Sequence, residues 1–230
     1  FGFNFDKANF IAGHSLGEYS ALCCYGALKF EDTLKILKKR GKSMQDAIPA
    51  HEGSMLAVLG SNLKVIEDVL KTNNHECYIA NDNSPQQIVL SGLKKNIDLF
   101  SEDLDKLKIK NMKLNVSAPF HCKLMKAATE NMKEKILNLN LKDIKNPIIS
   151  NFTAKPSTST FEIKNLLVSQ IEGRVRWLES VEFMINEGTK NFIEIGPGKV
   201  LSGLIRRINK NINFKSINSI QDIKELSLYV

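Results

Sequence analysis

Phe10-Ile11-Ala12-Gly13-His14-Ser15-Leu16-Gly17-Glu18 reads as a short apolar strand, a turn with a glycine on each side of a serine, and the start of a helix. Gly13 and Gly17 frame Ser15 as G-x-S-x-G, the nucleophile-elbow spacing. A sharp strand-to-helix turn lifts a serine oxygen clear of the sheet, and glycine on each side leaves room for neighbouring backbone. The helix that follows aims its N-terminal N–H groups at the serine, where negative charge would develop, and Glu18 suits that positive end. The plain alternative is a tight structural turn carrying an inert serine.

The chain has 230 residues, enough for one large domain or two small ones. Its 43% hydrophobic and 25% charged residues fit an ordinary globular protein. No apolar run is long enough to span a bilayer, so no membrane association is expected. The chain starts at Phe1 rather than Met, a few residues before the elbow, and an N-terminal portion carrying neighbouring strands is expected to be missing. The formal charge of +7 has two readings: lysines spread over solvated surface, or a field that speeds encounter with an acidic or phosphate-bearing partner. Arginine is scarce and no basic block is interleaved with aromatics, which argues against nucleic acid. Cys23, Cys24, Cys77 and Cys122 form no C-x-x-C pair, and reduced thiols in a cytoplasmic protein fit best, with no metal site.

A second helix is expected from about Glu31, with Leu34, Leu37 and Met44 inward and Lys35, Lys38, Lys39 and Lys42 on the other side. Arg40 does not join the lysines. At about 100° per residue it falls beside Leu37 and Met44, where a cation needs a carboxylate or phosphate partner. That partner is an internal acid or a bound ligand, and a guanidinium suits a carboxylate best. From Gly53 the pattern becomes Ser54–Leu59 strand, Leu63–Lys71 helix, Cys77–Ala80 and Gln87–Ser91 strands joined through Asn81-Asp82-Asn83-Ser84-Pro85, Lys94–Leu107 helix and Met112–Val116 strand. This β-α-β-β-α-β order is ferredoxin-like and places a subdomain at residues 54–117, inserted into a discontinuous α/β part of residues 1–53 and 118–230.

Ser117-Ala118-Pro119-Phe120-His121 follows, ahead of a helix with Leu124, Ala128, Met132, Ile136 and Leu139 inward. His121 there could take the Ser15 proton, or merely cap the helix. His51 and His75 lie in polar loops, and His14 beside Ser15 is expected to turn away. Further on are a strand at Pro147–Asn151, a helix at Phe161–Ile171 with Gln170 on its apolar face, a helix opened by Gly173-Arg174-Val175-Arg176-Trp177, a strand at Asn191–Ile195 ending in Gly196-Pro197-Gly198, a helix at Val200–Ile208, and a last strand at Phe214–Asn218. A buried amide such as Gln170 must find partners, either in a loop or at a site. Strands alternating with helices argue for a parallel sheet.

Taken together, Gly13-His14-Ser15-Leu16-Gly17-Glu18, Lys39-Arg40-Gly41, Ser117-Ala118-Pro119-Phe120-His121, Arg174-Val175-Arg176-Trp177 and Glu194-Ile195-Gly196-Pro197-Gly198 resemble the malonyl-CoA:acyl-carrier-protein transacylases of fatty acid synthesis. The resemblance runs from the first residues to about Gln221. It implies an α/β fold with a parallel-sheet, α/β-hydrolase-like core and an inserted ferredoxin-like subdomain. It implies Ser15 as nucleophile, His121 as base and then acid, steadied by a backbone carbonyl rather than an aspartate, Arg40 as the clamp on the malonyl carboxylate, Gln170 beside that clamp, and the Leu16 N–H as an oxyanion donor. Malonyl-CoA and an acyl carrier protein would be the partners, with no cofactor, in a cytoplasmic monomer. The family's second oxyanion donor comes from a strand and loop for which nothing before Phe10 can stand. Alternatives are an acyltransferase domain of a polyketide or fatty acid synthase, a serine hydrolase with the same elbow but no inward arginine, and a non-catalytic protein-binding remnant.

Overall fold

The computed structural model describes residues 5–116 and 118–226, so Phe1 and Ser117 of the sequence reading lie outside the described residues. Ile11 forms a single parallel bridge to Ile148, with Ile11 N–H donating to Pro147 O at 3.0 Å and Ile149 N–H donating to Ile11 O at 2.9 Å. The chain then turns at Ser15 into α1 (Gly17–Tyr25), which stops at Gly26, a left-handed residue with φ 87°. Next comes α2 (Phe30–Gln45).

The middle of the chain follows the expected order closely: β1 (Gly53–Leu59), α3 (Leu63–Asn73), β2 (Cys77–Ser84), β3 (Gln87–Leu93), α4 (Lys94–Lys106) and β4 (Asn111–Lys113). After one tight turn at Lys123–Met125 the chain continues through α5 (Lys126–Leu137), β5 (Ile148–Ile149), β6 (Pro156–Ser157) and α6 (Thr160–Ser169). It ends, among the described residues, with β7 (Val175–Arg176), α7 (Trp177–Asn186), β8 (Asn191–Ile195), α8 (Val200–Ile208), β9 (Asn213–Ile217) and α9 (Ile220–Leu226).

The largest sheet has the order β4-β1-β3-β2-β7. Its first four strands pair antiparallel, and β7 adds in parallel through Asn81↔Val175 and Asp82↔Arg176. Side-chain alternation explains why β1 is apolar throughout. Leu56 and Val58 point to a core shared with Ile66, Ile97, Phe100 and Leu104, whereas Met55 and Ala57 face Ala80, Val89 and Phe120. A separate core is built by α1, α2, α5 and α6 around Tyr19, Leu22, Ile36, Met132, Ile136 and Leu167. Phe120 packs against that core as well as against the β1 face, so the residue before His121 is gripped from both sides.

Four expectations need correcting. Asn81-Asp82-Asn83-Ser84 is not a connecting loop but the buried end of β2, which stays paired with β3 across two register shifts and takes β7 on its other edge. Leu34 is 53% exposed, and the inward face of α2 is instead Thr33, Ile36, Arg40, Ser43 and Met44. The strand at Pro147–Asn151 is reduced to Ile148–Ile149, because Asn151 spends its polar groups elsewhere. Parallel pairing among the described residues occurs in short pieces, at Ile11↔Ile148, β2/β7 and β8/β9, while the large sheet is mainly antiparallel.

Candidate active site

The elbow is tight on one side only. A Cβ on Gly13 would lie 2.0 Å from the Gly17 carbonyl and 2.6 Å from Glu18 N, so the first turn of α1 sits directly on Gly13. A Cβ on Gly17 would meet no described atom within 4 Å beyond its chain neighbours and its own helix backbone, which corrects the expectation that both glycines make room. Ser15 has φ 53°, a left-handed conformation that a side chain adopts at a cost of about 1–2 kcal/mol. Asn151, fully buried, holds it there: its Oδ1 accepts from Ser15 N–H at 2.6 Å and its Nδ2 donates to Gly13 O at 2.7 Å.

His121 also has a left-handed backbone, φ 59°. Its Nε2 lies 2.7 Å from Ser15 Oγ, and its Nδ1 lies 2.9 Å from the backbone carbonyl of Gln170. A carbonyl can only accept, so Nδ1 carries the proton and Nε2 is left to accept from the serine hydroxyl. Burial and then the Arg40 charge push the His121 pKa down to about 3, which keeps the ring neutral and ready to receive a proton.

Arg40 reaches the same point from α2. It is 6% exposed, and its Nη2 donates to Ser15 Oγ at 3.1 Å and to Gln170 Oε1 at 2.9 Å. Its Nε finds no partner among the described residues, and the Tyr19 ring lies 5.9 Å from the guanidinium carbon. A buried cation with an unsatisfied N–H has spare capacity for an acceptor. Gln170 caps the end of α6 rather than lying within it. Its amide Nε2 donates to Ser15 O at 2.9 Å and also to Glu18 Oε2.

The four side chains singled out in the sequence, Ser15, His121, Arg40 and Gln170, thus form one connected cluster. Leu16, exposed and next to Ser15, closes the turn in front of α1. The rival histidines are elsewhere: His51 is exposed, His75 pairs with Asp103 at 2.9 Å, and His14 turns to Asn83 Oδ1 at 2.8 Å with its ring against Trp177. Arg174 and Arg176 both bind Glu179, at 2.9 and 2.8 Å, and so fix the entry to α7. Beside His14 opens a cavity of about 400 Å³ lined by Asn83, Gln87, Lys199, Leu201 and Arg207. No set of three metal-ligating side chains comes together among the described residues.

Sequence reasoning missed two members of the site. Glu18 reads as a helix-dipole residue, yet it is buried, with Oε1 accepting from Asn151 N–H at 2.9 Å. Asn151 reads only as the end of a strand. Its signal is its place: a polar residue directly after an apolar parallel strand, at the edge where α/β sites gather.

Residues 6–226 match the acyl transferase domain family. The malonyl CoA-acyl carrier protein transacylase of Bacillus subtilis (strain 168) is 43% identical over 220 residues, which span 94% of this chain and 69% of the relative. The protein of the same name from Staphylococcus aureus (strain MSSA476) is 42% identical, over 94% of this chain and 71% of its own length. Among solved structures, acyl-carrier-protein-S-malonyltransferase from Bartonella henselae superposes with a TM-score of 0.95 at 40% identity, over 99% of this chain and 74% of that one. A type II polyketide acyl-carrier protein in complex with its malonyl-transacylase gives a TM-score of 0.92 at 33% identity, over 97% of this chain and 74% of that one. With the elbow, its histidine and the inward arginine assembled in one buried cluster, and these relatives matching along nearly the whole chain, the protein belongs to the acyl transferase family that includes the malonyl CoA-acyl carrier protein transacylases.

Proposed function

We propose that the protein moves a malonyl group from malonyl-CoA to the phosphopantetheine thiol of an acyl carrier protein, with Ser15 as the covalent way-station. His121 Nε2 takes the Ser15 proton as Oγ adds to the thioester carbonyl. The Leu16 N–H stabilises the resulting oxyanion. Collapse breaks the carbon–sulfur bond, and His121 returns its proton to the coenzyme A sulfur. The carrier thiol then gives its proton to His121, attacks malonyl-Ser15, and the proton goes back to Ser15 Oγ as the ester bond breaks. Arg40, with Gln170 beside it, takes the free carboxylate of the malonyl group. Neutral acyl groups leave the Arg40 Nε–H without an acceptor in a closed site, which is the basis of selectivity. No cofactor enters this scheme.

One observation carries the reading: Ser15 Oγ lies 2.7 Å from the imidazole and 3.1 Å from a buried guanidinium, so base and carboxylate partner converge on one oxygen. A hydrolase needs the first contact and has no use for the second. The cavity beside His14, lined by Lys199 and Arg207, suits a phosphate-bearing acyl carrier. A second reading keeps the chemistry and changes the carrier to a polyketide acyl carrier protein; the relative solved with such a carrier favours it.

The architecture supports a ferredoxin-like subdomain at residues 54–117, through its β-α-β-β-α-β order and its β4-β1-β3-β2 strands, inserted into an α/β-hydrolase-like catalytic part of residues 1–53 and 118–230. The addition of β7 to β2 ties the two parts together. The four cysteines are free, which suits a cytoplasmic monomer.

The test is to incubate the protein with malonyl-CoA, seek a malonyl adduct on Ser15 by mass spectrometry, and then add pantetheinylated carrier. The adduct forms, Ser15→Ala abolishes it, and the carrier removes it as malonyl-carrier. Release as free malonate without carrier would turn the assignment to a hydrolase.

A further inference from the structure

Glu18 enters the site from the first turn of α1 and is 3% exposed. Both its oxygens face N–H donors, Oε1 the backbone of Asn151 at 2.9 Å and Oε2 the Gln170 amide. These are the two residues that hold the reacting groups. Asn151 grips the elbow at Ser15 N and Gly13 O. Gln170 grips Ser15 O with Nε2, Arg40 with Oε1 and His121 with its backbone carbonyl. An amide can be turned over with almost no change of shape, so only its partners decide which end points where. Here one end meets a guanidinium, which can only donate, and the other an ionised carboxylate, which can only accept.

We infer that Glu18 is a positioning residue of the transferase: a sealed carboxylate that answers the Arg40 charge across the Gln170 amide and fixes nucleophile, base and arginine in one arrangement. This rests on the transferase reading of the same site. Putting a proton on Glu18 turns one of its acceptors into a donor that faces a donor, and leaves Arg40 without an answering charge. The active arrangement therefore needs the carboxylate ionised.

The charged and titratable groups around Glu18 are Arg40 from α2, Tyr19 next to it on α1, and His121, whose ring is bonded to the Gln170 carbonyl; the segments carrying Asn151 and Gln170 present it with amides. Burial raises the Glu18 carboxyl to about 7, while Asn151, Gln170 and Arg40 pull it the other way. His121 is held far below that, at about 3. The two groups thus separate: an acid limb near neutrality in the free enzyme belongs to Glu18 and not to the base.

The experiment measures the second-order rate of Ser15 malonylation by malonyl-CoA from pH about 5 to about 9, for the intact chain and E18Q. The wild-type rate falls about tenfold per pH unit below about 7. E18Q is slower by roughly 10- to 100-fold at the high-pH plateau and has lost that limb. Labelling of Ser15 by a neutral fluorophosphonate is followed in parallel, so that absence of any malonyl adduct, which sinks the transferase reading, is distinguished from failure of the Glu18 role. If E18Q does not fold, the wild-type profile alone decides: a rate flat from pH about 5 to about 8 overturns the inference. E18Q with a wild-type plateau, or with the acid limb still in place, overturns it equally.

Discussion

The two glycines of the elbow are expected to respond differently to alanine, and the difference follows from geometry. In Gly13→Ala the new methyl lies 2.0 Å from the Gly17 carbonyl carbon and oxygen and 2.6 Å from Glu18 N. Carbon contacts settle near 3.5–4.0 Å, so the first turn of α1 must retreat by more than about 1 Å. Those atoms are backbone and cannot rotate aside, and the turn is pinned through Glu18 to Asn151 and Gln170. The cost is set at about 3 kcal/mol, the upper part of the range for overpacking. At about 2–4 °C per kcal/mol for a chain of this size, Gly13→Ala melts roughly 6–12 °C lower. Gly17→Ala adds a methyl that meets nothing within 4 Å outside its own helix and chain neighbours among the described residues, at the first position of α1, where alanine is the better helix former by up to about 1 kcal/mol. It melts at or slightly above the wild type. Differential scanning calorimetry of both variants, with Ser15 malonylation of the folded fraction, reads the outcome. Equal melting temperatures, or a larger drop for Gly17→Ala, would refute the reasoning that Gly13 alone carries the close approach.

Two further substitutions separate binding from framework. Arg40→Ala should lower kcat/KM for malonyl-CoA by at least about 30-fold, corresponding to about 2 kcal/mol for a buried charge left without its partner, while acetyl transfer changes far less; equal losses would count against a carboxylate clamp. Asn151→Ala strips partners from Ser15 N–H and Gly13 O, at about 1–3 kcal/mol each, so urea denaturation should show about 2–6 kcal/mol of lost stability. A loss under about 0.5 kcal/mol would mean that the elbow holds its shape without the asparagine.

Ser15, Arg40 and Gln170 were legible because each breaks a local pattern. Ser15 sits between glycines, and Arg40 and Gln170 interrupt apolar helix faces where a polar group demands a partner. His121 was legible from its place after a proline and an aromatic. What stayed hidden depends on backbone and on distance along the chain. The resemblance implies a backbone carbonyl as the acceptor for His121 Nδ1, but not that it is the Gln170 carbonyl, 49 residues away, since any residue type would supply one. Glu18 was misread because a carboxylate in the first turn of a helix has an ordinary explanation in solvent, and nothing in the sequence says that Asn151 and Gln170 will seal it. The Asn81–Ser84 run looks like a turn by composition, and pairing on both edges, with β3 and with Val175-Arg176, makes it strand. Leu34 reads as inward because it is apolar, although Thr33 and Ile36 mark the buried line that leads to Arg40.

The arrangement of strain explains why the site needs so many polar ties. Ser15 and His121, the two groups that exchange a proton, both hold left-handed backbone, at φ 53° and φ 59°. Neither is glycine, so each would relax by about 1–2 kcal/mol if released. Apolar packing resists such relaxation poorly, since it has no direction. Directional bonds resist it well, and they are concentrated here: Asn151 fixes the serine N–H, Gln170 fixes the serine carbonyl and the imidazole, and Glu18 holds the Asn151 main-chain N–H and the Gln170 side-chain amide. Packing supplies the coarser alignment through Phe120, which is wedged between the helical core and the β1 face and so sets where the histidine enters. The separation between Oγ and Nε2 is therefore governed by two independent constraints, one apolar and one hydrogen-bonded, and a change that loosens either should lengthen the contact without unfolding the other.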